Sequence, residues 1–180
     1  MDRRLNERLI SSRKVFEGRL IALSVDEVES ADGRRGTREV VAHPGAVAIV
    51  PLLAGDRVVM IRHYRHAAGR VLWELPAGVL ENDEEPEECA RRELVEEIGY
   101  IAGKLLPLFS VFLSPGFSTE LMHLFLAQDL RKVEAVPEAD ERVEIAEVSL
   151  AEAEAMVYRG EVQNAAAVCG LLAVAARRRT

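Results

Sequence analysis

Cysteines and long apolar runs are both scarce in this sequence. Its 180 residues include only two cysteines, Cys89 and Cys169, too few for a disulfide framework or for a zinc site built from cysteine alone. We expect both to be small buried residues with free thiols in a reducing cytoplasm. No run of 18 apolar residues occurs, so we expect no membrane span, and the polar sequence that follows Met1 argues against a signal peptide.

Acidic residues outnumber basic ones, with 30 Asp and Glu against 23 Lys and Arg. The formal net charge of −7 argues against general binding to the nucleic-acid backbone. The acidic excess is concentrated in residues 81–97, where nine acidic residues stand beside two arginines, so this segment alone carries the net charge of the whole chain. Such a patch would repel a phosphate substrate unless cations intervene.

The pattern of apolar and turn-forming residues predicts one domain of mixed strands and helices, of the α/β or α+β sandwich class. Residues 1–45 predict short extended segments that form a small antiparallel sheet ahead of the main domain. The main domain is predicted to contain six strands, at 45–52, 57–63, 73–78, 106–113, 120–128 and 143–149. Three helices are predicted, at 86–98, 150–158 and 163–176.

The helix predicted over residues 86–98, called the glutamate helix below, has clear signals at both ends. Pro86 suits the first helical turn, where its missing N–H costs nothing. Gly99 suits the position just past the end, where a left-handed backbone is favoured. Glu93 and Glu97 lie four residues apart and therefore project side by side.

Three neighbouring carboxylates in this helix, Glu93, Glu96 and Glu97, need a compensating positive charge. Like charges at helical spacing destabilise a helix by roughly 0.2–0.5 kcal/mol per pair. Arg92 lies four residues before Glu96 and can pair with it. Hard cations such as Mg²⁺ take oxygen ligands and commonly bind through carboxylates together with substrate phosphates. The alternative, a solvated acidic face, fits the other glutamates of the helix, Glu87 and Glu88, and Glu85 before it.

The spacing around the glutamate helix is specific. Gly78 is followed by five residues, Glu84, seven residues and then the run Arg92-Glu-Leu-Val-Glu-Glu-Ile-Gly-Tyr100. This pattern resembles the signature of the Nudix hydrolases and matches it at all seven fixed positions. The one departure is Tyr100, where the family usually carries an aliphatic residue.

The resemblance implies an α/β/α sandwich around a mixed sheet, and an enzyme that uses Mg²⁺ or Mn²⁺ to cleave a nucleoside diphosphate linked to another moiety. It implies that Glu93, Glu96 and Glu97 bind metal, together with the main-chain carbonyl of Ala77. By the same matching, Glu84 orients the loop or reaches metal through water, and Arg92 is structural.

Residues 37–176 further resemble the ADP-ribose pyrophosphatase branch, through Arg62-His-Tyr-Arg65, Trp73-Glu-Leu-Pro-Ala-Gly78 and Ser114-Pro-Gly116. This resemblance implies four substrate-binding residues, namely Arg38, Arg65, Glu74 and Pro115. It also implies a general base, for which the candidates are Glu96, Glu97, Glu138 and Glu141. Members of this branch are homodimers, which implies that residues 1–42 serve dimerisation and substrate contact while residues 43–180 form the catalytic domain.

The function expected from this resemblance is hydrolysis of ADP-ribose to AMP and ribose 5-phosphate by water attack on the diphosphate. Another nucleoside diphosphate sugar, such as GDP-mannose, is the main competing substrate. A non-catalytic ligand sensor and an enzyme that removes damaged nucleoside triphosphates are two further hypotheses. The expected partner is a small molecule, with no nucleic acid and no membrane.

Overall fold

The computed structural model describes residues 5–135 and 142–179. The chain divides into two compact units. The first contains residues up to Gly45 and the segment Phe112–Leu121, and the second contains Ala46–Val111 and the chain from Met122 onwards.

The first unit is a three-stranded antiparallel sheet in the order β1-β2-β3, which confirms the small sheet predicted ahead of the main domain. Its strands are β1 (Glu7–Glu17), β2 (Ala22–Ser30) and β3 (Arg35–Ala42). The segment after Phe112 joins this unit through the end of β3. The Val41 N–H donates to the Phe117 carbonyl at 2.7 Å, and the Thr119 N–H donates to the Val41 carbonyl at 3.0 Å.

The second unit is built on a mixed seven-stranded sheet. Its strands are β4 (Ala46–Leu53), β5 (Arg57–Arg65), β6 (Arg70–Glu74), β7 (Ala77–Val79), β8 (Tyr100–Phe112), β9 (Leu121–Lys132) and β10 (Val143–Ser149). The order is β10-β5-β4-β9-β8, with β6 paired to β5 and β7 paired to β4. Strands β4 and β9 are parallel, whereas β5 is antiparallel to β4, β6 and β10.

Three helices cover this sheet: α1 (Pro86–Ile98), which is the glutamate helix, α2 (Leu150–Tyr158) and α3 (Ala165–Arg179). Side chains alternate between the two faces of a strand. On β4, Val47 and Ile49 therefore join the apolar cluster around the glutamate helix, whereas Val50 and Leu52 join the cluster around α2 and α3. The sheet thus lies between two helical layers, which confirms the predicted sandwich.

The glutamate helix has the bounds that the sequence predicted. Pro86 occupies its first turn, and Gly99 closes it with φ 67°, donating its N–H to the carbonyls of Leu94 and Val95. The start of α3 lies two residues later than predicted. None of the helices in the described parts of the chain is long and apolar enough to cross a lipid bilayer.

Candidate active site

The acidic residues around the glutamate helix separate into two groups by burial. Glu93 and Glu97 face the protein interior and are only 7% and 3% exposed, while Glu96 is partly buried. Five other acids of the segment are exposed: Glu81, Asp83, Glu85, Glu87 and Glu88. This separation agrees with the expectation that most of the acidic run is solvated surface.

Arg92 holds three of these carboxylates together. Its Nη1 donates to Glu93 Oε1 at 2.5 Å and to Glu96 Oε2 at 3.0 Å. Its Nε and Nη2 donate to the two carboxylate oxygens of Glu84, each at 2.9 Å. One guanidinium therefore compensates a cluster that would otherwise repel itself. The pairing of Arg92 with Glu96 was predicted from helical spacing, whereas the contacts with Glu84 and Glu93 were not.

The Arg92–Glu84 pair also fixes the loop that leads into the helix. The hydrogen bonds from Arg92 lower the pKa of the Glu84 carboxyl to about 2, so this group is ionised across the neutral range. The same contact raises the pKa of Arg92 above its ordinary value. Glu84 Oε2 additionally accepts the Glu81 N–H at 3.1 Å. Glu84 thus connects the loop to the helix through Arg92.

Cys89 belongs to this network, although the sequence indicated only a small buried residue. Its Sγ accepts a hydrogen bond from Arg92 Nη2 at 3.3 Å and donates to the Val79 carbonyl at 3.6 Å. Burial raises the pKa of the thiol, which therefore stays protonated and can act as that donor. Cys89 and Arg92 lie three residues apart on the helix and therefore on the same side of it, so helical spacing could have indicated the contact.

Strand β7 brings the backbone close to the carboxylates. The Ala77 N–H donates to Glu97 Oε2 at 2.8 Å, which orients that carboxylate. Beside it, a Cβ placed on Gly78 would lie only 1.7 Å from Glu93 Oε1. Glycine is therefore required at this position so that the Glu93 side chain can pass next to the strand.

The chemistry of these donors fits a hard divalent cation, which prefers carboxylate and carbonyl oxygens. Glu93, Glu96 and Glu97 supply such oxygens on one helix, next to the backbone of Ala77. Within residues 5–135 and 142–179, His, Cys, Asp and Glu side chains form no ready-made three-ligand cluster. Two of the three carboxylates are instead directed towards the positive charge of Arg92.

The residues expected to bind substrate lie in both units. Arg38 and Pro115 belong to the first unit, where the Arg38 guanidinium pairs with Glu7. Arg65 and Glu74 belong to the second unit and pair with each other, at 2.7 Å between Arg65 Nη2 and Glu74 Oε2. The sequence indicated neither ion pair. Two candidate bases, Glu138 and Glu141, lie outside the described residues.

Comparison with known proteins covers nearly the whole chain. Residues 42–168 match the model of the NUDIX domain, and residues 7–41 match that of the nucleoside diphosphate sugar hydrolase N-terminal domain. An ADP-ribose pyrophosphatase of Bacillus subtilis (strain 168) is 42% identical, over 89% of this chain and 88% of that protein. An ADP-ribose pyrophosphatase of Mycobacterium tuberculosis (strain ATCC 25618 / H37Rv) is 43% identical, over 92% and 81% respectively.

A solved structure described as an ADP compounds hydrolase has the same fold. It superimposes with a TM-score of 0.86 and 24% identity, covering 97% of this chain and 96% of that one. At this identity the likeness concerns the fold alone.

Proposed function

The chain belongs to the Nudix hydrolase family, and from that premise we propose that it hydrolyses the diphosphate of ADP-ribose to AMP and ribose 5-phosphate. The observation that carries the proposal is the gathering of Glu84, Glu93 and Glu96 on Arg92, beside Glu97 held by the Ala77 N–H. The two relatives named for ADP-ribose cleavage are similar over most of the chain, which favours the same substrate.

We propose that the divalent metal on which this family depends is Mg²⁺ or Mn²⁺, and that Glu93, Glu96, Glu97 and the Ala77 carbonyl bind it. A bound divalent cation neutralises phosphoryl oxygens and lowers the pKa of the attacking water. The protein positions the carboxylates for this role in two ways. The Ala77 N–H orients Glu97, and Gly78 leaves the space that Glu93 needs.

The proposed roles of the remaining residues follow from charge and proton transfer. Arg38 and Arg65 bind the phosphates or the ribose of the substrate, which suits their forked donors, and Pro115 contacts the substrate. The proton of the attacking water passes to a carboxylate oxygen. Glu96, Glu97, Glu141 and Glu138 are the candidates for this base. A Glu141→Gln enzyme that kept the full rate would exclude Glu141 and leave the metal site untouched.

The decisive experiment compares Glu97→Gln with Glu87→Gln. Both substitutions remove one carboxylate from the same helix, but Glu87 is exposed and pairs only with Arg91 among the contacts described. We expect kcat of Glu97→Gln to fall by about 10²-fold or more with the circular dichroism spectrum unchanged, and that of Glu87→Gln to stay near wild type. Near-normal turnover by Glu97→Gln would contradict the metal-site assignment.

A nucleoside diphosphate sugar such as GDP-mannose is the second candidate substrate. The match of residues 7–41 to the N-terminal domain of nucleoside diphosphate sugar hydrolases favours this broader class. A panel of ADP-ribose and several nucleotide sugars, with the products separated by chromatography, distinguishes the two candidates. Higher kcat/KM for a nucleotide sugar than for ADP-ribose would replace the proposed substrate while retaining the proposed chemistry.

We also propose a homodimer formed through residues 1–42, with residues 43–180 as the catalytic domain. The first unit supports this proposal because its strands expose large apolar side chains, among them Leu9 and Phe16 at 57% and 54%. Sedimentation should give about twice the chain mass of 19.9 kDa, and a monomer would contradict the proposal.

Cys89 and Cys169 are free thiols, which supports a reducing compartment such as the cytoplasm.

A further inference from the structure

Glu74 is a fully buried acid at the end of β6. It is 1% exposed, and the residue opposite it on β5 is Ile61, which is completely buried. A carboxylate in such a position is costly unless it is paired. A buried ion pair is seldom more stabilising than apolar residues of similar size, so stability alone does not account for Glu74.

Glu74 forms an ion pair with Arg65. Arg65 Nε donates to both oxygens of Glu74, at 3.0 and 3.1 Å, and Nη2 donates to Oε2 at 2.7 Å. These charge-assisted bonds fix the plane of the guanidinium as well as its position. The Arg65 side chain remains 41% exposed, so its guanidinium is held from within the protein and is accessible from outside.

Strand alternation places this pair on the same face of the sheet as the glutamate helix. Ile61 packs in the apolar cluster around that helix, and Arg65 lies four residues further along β5, on the same face. Trp73 packs in the cluster on the opposite face, so Glu74, the next residue, points to the face of the glutamate helix.

We infer that Glu74 is a positioning residue for Arg65 and does not itself bind substrate. The inference rests on the proposed function, because it requires Arg65 to bind the diphosphate. An arginine held in one orientation before binding has already lost its rotamer freedom, so more of the binding energy appears as affinity. Without Glu74, the bonds that fix the plane of the guanidinium are lost, and part of the binding energy is spent on orienting it.

Glu74→Gln tests this inference, because it keeps the size of the side chain and removes its charge. We expect KM for ADP-ribose to rise by about 3-fold to 30-fold, with kcat within about 2-fold of wild type. Glu144→Gln is the matched control. Glu144 pairs at 2.8 Å with Arg62, which lies on β5 but on the opposite face, so KM should not change.

A double-mutant cycle with Arg65→Ala separates positioning from direct contact. If Glu74 acts through Arg65, Glu74→Gln adds no further rise in KM once Arg65 has been removed. The same rise in both backgrounds would mean that Glu74 contacts substrate itself, and would overturn the inference. A lower melting temperature with an unchanged KM would show a merely structural role and would also overturn it.

Two further measurements keep the inference testable. If Glu74→Gln does not fold, Glu74→Asp can be tested instead. This variant retains the charge and withdraws the carboxylate by one methylene, so it should also raise KM. An unchanged KM would overturn the inference. Wild-type turnover of ADP-ribose tests the proposed function separately. Should the wild type cleave only another diphosphate of the substrate panel, the proposed substrate fails and the same cycle is measured with that compound.

Discussion

Replacing Gly78 with alanine should disable the site through a single methyl group. Gly78 lies in β7 with a backbone conformation that alanine can adopt, so the main chain itself accepts the change. The added Cβ would lie 1.7 Å from Oε1, 2.0 Å from Cδ and 2.6 Å from Cγ of Glu93. All three distances are far below van der Waals contact, so the Glu93 side chain must leave its position.

The cost of this displacement has two opposing contributions. Crowding in a packed region lowers the free energy of unfolding by about 1–3 kcal/mol. Replacing glycine by alanine stabilises the protein by about 0.4–1 kcal/mol, because the unfolded chain loses freedom. We expect a net loss of about 1–2 kcal/mol, which lowers Tm by about 2–8 °C in a protein of this length. Displacing by about 1 Å a carboxylate that is proposed to bind metal should lower kcat/KM by about 10²-fold.

Gly103→Ala is the matched control for this prediction. A Cβ on Gly103 would lie 2.9 Å from the Cβ of Asp129, so it crowds a strand at an exposed place, and the three atoms nearest to it all belong to Asp129 rather than to the glutamate helix. Both variants should show a lower Tm in thermal denaturation, but only Gly78→Ala should lose activity in an ADP-ribose assay. Full activity of Gly78→Ala would refute the reasoning.

The Glu93→Ala background gives a second check, because this change removes all three atoms that the new methyl group meets. The destabilisation by Gly78→Ala should disappear there, leaving only the small gain from the unfolded state. An undiminished loss in that background would show that Glu93 is not the source of the crowding.

Further predictions concern the Glu84–Arg92 ion pair, the packing of helix α3 and the divalent cation. Glu84→Gln should lower the free energy of unfolding by about 1–3 kcal/mol at neutral pH. Because folding lowers the pKa of Glu84 from 4.5 to about 2, this difference from wild type is full above pH 4.5. Urea denaturation should show that it decreases below pH 4.5 and is lost as the pH falls through about 2. Gly170→Ala places a Cβ 2.8 Å from Leu75 Cδ1 and 3.0 Å from Val50 Cγ2. This crowding should outweigh the gain in helix propensity, so we expect Tm to fall. A higher Tm would contradict this prediction. Chelation of the divalent cation should abolish turnover. Mg²⁺ at 100 times its Kd should raise the free energy of unfolding by about 2.7 kcal/mol, which calorimetry would detect as a higher Tm. An unchanged Tm would count against the metal site.

The sequence predicted the glutamate helix well because its limits depend on local rules. Proline in a first turn and glycine at a left-handed end act through their own backbone preferences, without help from distant residues. The side-by-side placement of Glu93 and Glu97 likewise follows from helical periodicity. The extent of β1 could not be derived in this way, since its residues are mostly exposed and its pairing with β2 includes two register irregularities.

The ion pairs could not be predicted, because each depends on elements that only the fold brings together. The family resemblance implied that Arg65 and Glu74 contact substrate, but it did not indicate that they also bind each other across the β5–β6 pairing. Arg38 pairs with Glu7, which lies 31 residues away in the chain. Sequence patterns indicate that an arginine is suited to phosphate, but the partner that holds it depends on strand register.

Five of the seven fixed positions of the Nudix signature form one contact network in this protein, which explains why the spacing is so informative. Gly78 makes room for Glu93, Glu84 binds Arg92, and Arg92 in turn holds Glu93 and Glu96. Each contact constrains the distance along the chain between two signature residues, so the pattern records a local structure. The residues proposed to select the substrate are divided between two units and share no such spacing. For this reason the sequence indicates the type of reaction more directly than it indicates which diphosphate is cleaved.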